Sequence, residues 1–155
     1  MRVGLISDTH GKLRPAIFDH FRDVDHILHA GDIGAPDLLA ALEAIAPITA
    51  VWGNTDGFDI RQHVPERAER ELGSRRILVI HGHQFGSPTP AALAAALPGF
   101  DILLFGHTHR PALEQIGSTL IVNPGAAGPP RFNLRPSIAI LELQADRANV
   151  QFIDL

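Results

Sequence analysis

Aspartate, asparagine and histidine recur in this sequence just past short apolar runs. Gly106-His107-Thr108-His109 follows Asp101-Ile102-Leu103-Leu104-Phe105 and sets two imidazoles at i and i+2. Asp8-Thr9-His10 follows Val3–Ile6, and Gly31-Asp32 closes His26-Ile27-Leu28-His29. Gly53-Asn54-Thr55-Asp56 follows Ile48–Val51, and His81-Gly82-His83 follows Ile77–Ile80. Together they offer carboxylate, amide oxygen and imidazole. Sulfur is absent, because the chain has no cysteine. Imidazole is the commonest metal ligand near neutral pH. A mixed oxygen and nitrogen set suits manganese, iron, zinc or nickel and is too rich in nitrogen for a calcium cage. Each motif also has an ordinary use: Asp8 can cap a helix, and Asp32 and Asn54 can sit in turns. As a set, the ligands exceed what one tetrahedral or octahedral ion needs. Two ions about 3.5–4 Å apart, sharing one carboxylate, account for the number.

The elements that must position these groups read as follows. Val3–Ile6, His26–His29 and Ile48–Val51 are short apolar strands. Two helical stretches alternate with them, one from Leu13 to Phe21 with Leu13, Ile17, Phe18 and Phe21 on a stripe. The other opens at Pro36 and turns Leu38, Leu39, Leu42 and Ile45 inward. Strand-helix alternation implies parallel pairing with right-handed crossovers. The pattern then changes to hairpins. Arg67–Leu72 and Arg76–Ile80 flank Gly73-Ser74, Ala112–Ile116 and Leu120–Val122 flank Gly117-Ser118, and Ile138–Leu143 and Val150–Ile153 flank Asp146-Arg147. A helix over Pro90–Leu97 and a strand over Asp101–Phe105 lie between them. So many antiparallel hairpins do not fit one parallel sheet. The expected architecture is a four-layer α-β-β-α sandwich of two mixed sheets, with the motifs at the carboxyl ends of strands, where ligands bind in α/β sheets.

A length of 155 residues suits one domain, taken as 1–155, and can bury roughly 70% of its unfolded surface. The formal net charge of -4 provides no global basic field for nucleic acid. No apolar run approaches the roughly 20 residues of a membrane helix, and the first eight residues turn polar too soon for a signal peptide. A cytoplasmic protein acting without a membrane is expected; a homo-oligomer is compatible with everything in the sequence.

The five motifs, in this order and together with Asn123-Pro124-Gly125, resemble the calcineurin-like metallophosphoesterase superfamily, in particular its small bacterial and archaeal phosphodiesterase branch. The resemblance runs from about Val3 to Arg131. It implies two divalent ions, manganese first, with iron, zinc or nickel as alternatives. Asp8, His10 and His109 would hold the first ion; Asn54, His81 and His107 the second; Asp32 would bridge them. Asp32, Asn54 and His10 would carry the catalytic work around a hydroxide between the ions, and the substrate would be a small phosphodiester. His81 is preferred to His83 as ligand because it directly ends its strand. His83, Asp56 and Arg131 would support the ligands or touch substrate. His29 reads as a buried, hydrogen-bonded structural histidine, and His20, His26 and His63 as surface or packing residues.

Two positions depart from the family pattern. Larger relatives carry a histidine directly after the motif asparagine, serving the leaving group; here Thr55 stands there, as in the small branch. The family loop Asn-Pro-Gly-Ser has Ala126 in place of serine. Two other readings accompany the phosphodiesterase: a protein-interaction scaffold, as in a retromer-type subunit of the same superfamily, and a nuclease. The acidic chain disfavours the nuclease, and Arg67, Arg70, Arg75 and Arg76 read as a solvated hairpin edge.

Overall fold

A computed structural model of the chain describes residues 1–131 and 133–155. Ten strands and four helices follow in the order β1 (Arg2–Ile6), α1 (Pro15–Phe21), β2 (His26–His29), α2 (Pro36–Glu43), β3 (Ile48–Ala50), α3 (Phe58–Arg61), β4 (Arg67–Leu72), β5 (Arg75–Ile80), α4 (Pro90–Ala96), β6 (Ile102–Leu104), β7 (Ala112–Ile116), β8 (Thr119–Asn123), β9 (Ser137–Leu143) and β10 (Ala148–Asp154). A 3-10 turn covers His83–Phe85. The strands form two five-stranded mixed sheets, ordered β10-β9-β1-β2-β3 and β4-β5-β6-β8-β7. β1, β2 and β3 are parallel, as are β5, β6 and β8, and the antiparallel strands flank each parallel core.

Strand side chains alternate between faces with period two, and here the alternation separates three apolar seams. Val3, Leu5, Leu28 and Leu141 of the first sheet meet Ile77, Val79, Ile102 and Leu104 of the second in the middle seam. Their sequence neighbours face outward. Ile6, Ile27, Ile138 and Ile140 pack on Ile17 and Phe21 of α1 and Leu38 and Leu42 of α2. Leu78, Ile80, Leu103 and Phe105 pack on Leu93 of α4. Both faces of the central strands are therefore covered, which is why they read as continuous apolar runs. The layers follow as helix, sheet, sheet, helix.

Several helix details differ from the sequence expectation. α1 begins at Pro15, a residue suited to a first turn, and leaves Leu13 outside. Ile17 and Phe21 are buried one turn apart, whereas Phe18 is turned outward and 42% exposed. α2 ends at Glu43, so Ile45 packs on the core from beyond the helix. No helix among the described residues is long and apolar enough to cross a membrane.

Candidate metal centre

The carboxyl ends of β1, β2, β3, β5 and β6 meet at one rim, and hydrogen bonds cross between the sheets there. His81, following β5, places Nδ1 2.7 Å from the Ala30 carbonyl beyond β2. The His107 N–H, beyond β6, donates to Asp8 Oδ2 at 3.1 Å. Five of the seven ligand candidates hold left-handed backbone: Asp8 (φ 53°), His10 (47°), Asp32 (52°), His107 (66°) and His109 (59°). For side chains with a Cβ each such conformation costs on the order of 1 kcal/mol or more, and it persists only where tertiary contacts impose it. The contacts are present. Asp8 N–H donates to Gly31 O at 2.9 Å, His10 N–H to Asp32 O at 2.9 Å and Gly11 N–H to Ile33 O at 2.7 Å, which carries the pairing of β1 and β2 on into their loops. Gly128 N–H closes onto Asp8 O at 3.1 Å from the other side.

Gly106 is required by proximity. A Cβ there would run into Ser7 Oγ and the Asp8 carboxylate. Ser7 Oγ in turn donates to Asp8 Oδ2 at 2.6 Å. One oxygen of Asp8 is thus saturated by Ser7 and His107. The other, Oδ1, is buried without a hydrogen-bond partner among the described residues and lies 3.1 Å from His109 Nε2. His10 Nε2 is buried in the same condition, and the His10 and His109 rings are 5.4 Å apart. Ligand atoms of Asp8, His10 and His109 all lie within 4.8 Å of one another.

A second set forms around His81. With Nδ1 donating to Ala30, Nε2 of the neutral ring presents a lone pair. It meets two oxygen acceptors, Asn54 Oδ1 at 3.1 Å and Asp32 Oδ2 at 3.4 Å. Only a cation or a proton reconciles three acceptors at one point. Asp32 Oδ1 accepts from Thr55 N–H at 2.9 Å, while Oδ2 lies between His81 and His10, the latter at 3.9 Å. Asp8, Asp32 and His81 likewise bring ligand atoms within 4.8 Å. The His107 ring stands edge-on to His81 at 5.1 Å. The two histidines of the Gly106–His109 turn therefore diverge, His107 toward His81 and His109 toward Asp8 and His10. This donor set can accommodate divalent cations on both sides of Asp32.

The protonation tendencies follow from packing and charge. Burial and the neighbouring Arg131 and His109 charges outweigh Asp32 and Asp8 and lower His10. Burial and the His81 charge lower His107 and His83. At His81 burial is opposed and overcome by the Asp32 hydrogen bond and nearby carboxylates, which raise it. Burial disfavours the Asp32 anion, yet His81 and Thr55 hold its carboxyl well below the usual range. His10, His107 and Asp32 thus lean toward the neutral imidazole and ionised carboxylate that a metal requires, whereas His81 leans toward imidazolium and would give up its proton on binding one.

The remaining sequence candidates flank this rim. Asp56 is buried and accepts three backbone N–H bonds, from Ile33 at 3.1 Å, Gly34 at 2.8 Å and Gly53 at 2.8 Å. It ties the Asp32 loop to the Asn54 loop. His83 lies 5.4 Å from the His81 ring and is held by Trp52 and Glu66, with ring centroids at 5.4 Å and Nε2 to Oε1 at 3.6 Å. Arg131 is exposed and close enough to influence His10. Of the hairpin arginines, Arg67 pairs with Glu69 at 2.8 Å, Arg70 donates to Thr49 at 3.0 Å and Arg76 lies over Phe100, so they do not form a free basic stripe.

Sequence reasoning assigned no role to Ser7, Thr9 or Asn123, all of which bond into the rim loops. Asn123 belongs to the quoted Asn-Pro-Gly motif, which was the available signal. Ser7 and Thr9 adjoin Asp8, and nothing in their types distinguishes them from loop residues.

The family model for the calcineurin-like phosphoesterase superfamily domain matches residues 1–146. The chain belongs to that superfamily. It is 35% identical to a probable metallophosphoesterase of Methanothermobacter thermautotrophicus, over 99% of this chain and 92% of that protein. It is 30% identical to a phosphodiesterase of Methanocaldococcus jannaschii, over 81% of this chain and 83% of that one. Among solved structures it is similar to Vps29 of Entamoeba histolytica complexed with zinc, with a TM-score of 0.81, 25% identity, and coverage of 99% of each chain.

Proposed function

We propose that this phosphoesterase is a two-metal-dependent phosphodiesterase. The observation that carries the reading is the position of Asp32 Oδ2 between His81 at 3.4 Å and His10 at 3.9 Å, with oxygen and nitrogen ligands gathered on both sides. Asp8, His10 and His109 would hold one ion, Asn54, His81 and His107 the other, and Asp32 both. When bound, such a pair supplies Lewis acidity to a phosphoryl group and lowers the pKa of a water between the ions. Manganese is the first expectation, with iron, zinc or nickel admitted by the same ligands.

The chain's own residues set the rest. Asn54 contributes a neutral oxygen and so leaves more positive charge for the substrate than a carboxylate would. Arg131 offers a planar fork to a phosphoryl oxygen. Thr55 offers no titratable proton for a leaving group, which favours esters whose leaving oxygen is already a weak base. A small aryl phosphodiester with added Mn²⁺ is therefore the assay of choice. Asp32→Asn and His107→Ala are expected to lose at least about 100-fold in turnover, and full activity in either overturns the mechanism. Metal-dependent cleavage of single-stranded or duplex nucleic acid in parallel digests would replace the small diester by a nuclease substrate.

The likeness to Vps29 favours a second reading, a protein-interaction scaffold on the same fold. It predicts no hydrolysis by the wild type and partner capture that survives loss of the ligands.

A further inference from the structure

His29 lies at the end of β2 with no solvent exposure. Its ring occupies a chain of hydrogen bonds whose direction can be read throughout. Gly31 N–H donates to His29 Nδ1 at 3.2 Å, so Nδ1 is the acceptor and Nε2 carries the hydrogen. Nε2 lies 2.9 Å from Thr9 Oγ1, and the Thr9 hydroxyl points on to the Ile33 carbonyl at 3.0 Å. The Asp32 carbonyl is 3.4 Å from the same oxygen. The chain thus starts one residue before Asp32, passes through two side chains and ends one residue after it. Thr9 is the residue between Asp8 and His10, both in left-handed backbone.

We infer that His29 is a positioning residue that sets Asp8 and His10 for metal through the Thr9 hydroxyl. Ser7 and His107 hold the Asp8 carboxylate, and Gly128 and Lys12 N–H bond the Asp8 and Thr9 carbonyls, but the Thr9 side chain is what ties the middle of this three-residue segment to β2. Two backbone bonds fix its ends onto the Asp32 loop, Asp8 N–H to Gly31 and His10 N–H to Asp32. Thr9 makes the side-chain bond between them, and only a donor at the place of His29 Nε2 leaves the Thr9 hydrogen free for Ile33. A misdirected Thr9 rotates the peptides on either side of it, and with them the carboxylate and imidazole meant for one ion. The inference rests on the two-metal reading above.

Four variants separate the two arms of the ring. His29→Gln keeps an amide N–H near the place of Nε2 and loses the Gly31 acceptor; His29→Asn does the reverse. Thr9→Ser keeps the hydroxyl, and Thr9→Val removes it at nearly constant volume. Calorimetric titration with Mn²⁺ gives affinity and stoichiometry. Electron paramagnetic resonance reports whether the bound ions are spin-coupled, which a merely structural role would leave unmoved. Thr9→Val and His29→Asn are expected to weaken Mn²⁺ binding about 10–100-fold and to lose the coupled signal. Thr9→Ser and His29→Gln are expected to stay within about threefold of wild type on the same generalisation about ligand-supporting groups. Wild-type affinity and coupling in Thr9→Val overturn the inference, and this variant decides if His29→Asn does not fold. Equal weakening in Thr9→Ser and Thr9→Val overturns it too. A wild type that binds no Mn²⁺ overturns the two-metal reading itself, a different and recognisable failure.

Discussion

Asn123 reaches across to the turn that bears the paired histidines: its Nδ2 donates to the Gly106 carbonyl at 2.8 Å and to Thr108 Oγ1 at 3.1 Å. Its Oδ1 accepts from Gly125 N–H at 2.9 Å, so one buried amide joins the Asn-Pro-Gly loop to Gly106–His109. Truncation to Ala leaves the buried Gly125 N–H without this acceptor and the Gly106 carbonyl with one donor, Thr108 N–H at 2.7 Å, instead of two. Each such loss costs about 1–3 kcal/mol. Asn123→Ala is expected to lower the unfolding free energy by about 2–3 kcal/mol in urea titration and to cut diesterase turnover about 10–100-fold. Unchanged turnover in a folded variant would separate this clamp from the site.

Metal binding should register as stability. In the metal-free protein Asp8 Oδ1 and His10 Nε2 are buried without hydrogen-bond partners among the described residues, and Asp8 and Asp32 sit close enough to share a ligand cluster with His81. A cation relieves these costs only in the native state. At a free Mn²⁺ concentration of 100 Kd the gain is about 2.7 kcal/mol, equivalent to roughly 5–10 °C in Tm for a chain of this size. Differential scanning fluorimetry with and without chelator measures it. A shift that persists undiminished in Asp8→Asn would place the ion elsewhere.

The sheets were legible because β1, β2, β5 and β6 are buried on both faces and so read as uninterrupted apolar runs that stop at the motifs. The hairpins were legible from Gly73-Ser74 and Gly117-Ser118, where the turns place Gly73, Ser74 and Gly117 at positive φ. α3 was not: a single turn, Phe58-Asp59-Ile60-Arg61, buries only Ile60 and is too short to show a period. The left-handed backbone at Asp8, His10, Asp32, His107 and His109 was also invisible, because no glycine marks it and long-range bonds impose it. The partners of His29 and the reach of Asp56 to Ile33 and Gly34 depend on strands meeting, which sequence spacing does not encode. Candidate ligands could be proposed from sequence because metal chemistry restricts residue type; supporting residues are chosen by shape and are not so restricted.

Acid should find His29. Burial, against partial relief from Asp8 and Asp32, pushes its pKa down to about 3 from the ordinary 6.5. Between those values the unfolded chain binds a proton that the native chain refuses, so stability rises with pH across the window and is lost as pH falls below about 6.5. The slope for this group approaches about 1.4 kcal/mol per pH unit. Asp32, lowered as well, adds loss of the same sign at more acid pH, whereas His81, raised, contributes stability that fades as pH rises through its native value. Comparing metal-free wild type with His29→Gln at pH 7 and 4.5 isolates the term. Wild type is expected to lose about 2–3 kcal/mol more than the variant over that interval; equal losses would show that His29 takes up its proton in the native state.

The backbone of His107 should trade stability for function. At φ 66° its Cβ is held against the preferred geometry, a cost of about 1–2 kcal/mol that glycine does not bear. His107→Ala keeps the Cβ and the strain, and His107→Gly removes both. The two variants lose the same imidazole, so their difference reports the backbone alone. Metal-free His107→Gly is expected to be about 1 kcal/mol more stable than His107→Ala in urea titration, after glycine's greater unfolded-state entropy is set against the relief. Both should be equally inactive on the diester, since each lacks the ligand. If the alanine variant is the more stable, the turn at Gly106–His109 carries no strain. If the glycine variant regains activity, the imidazole is not needed and the strain would have no use in holding it.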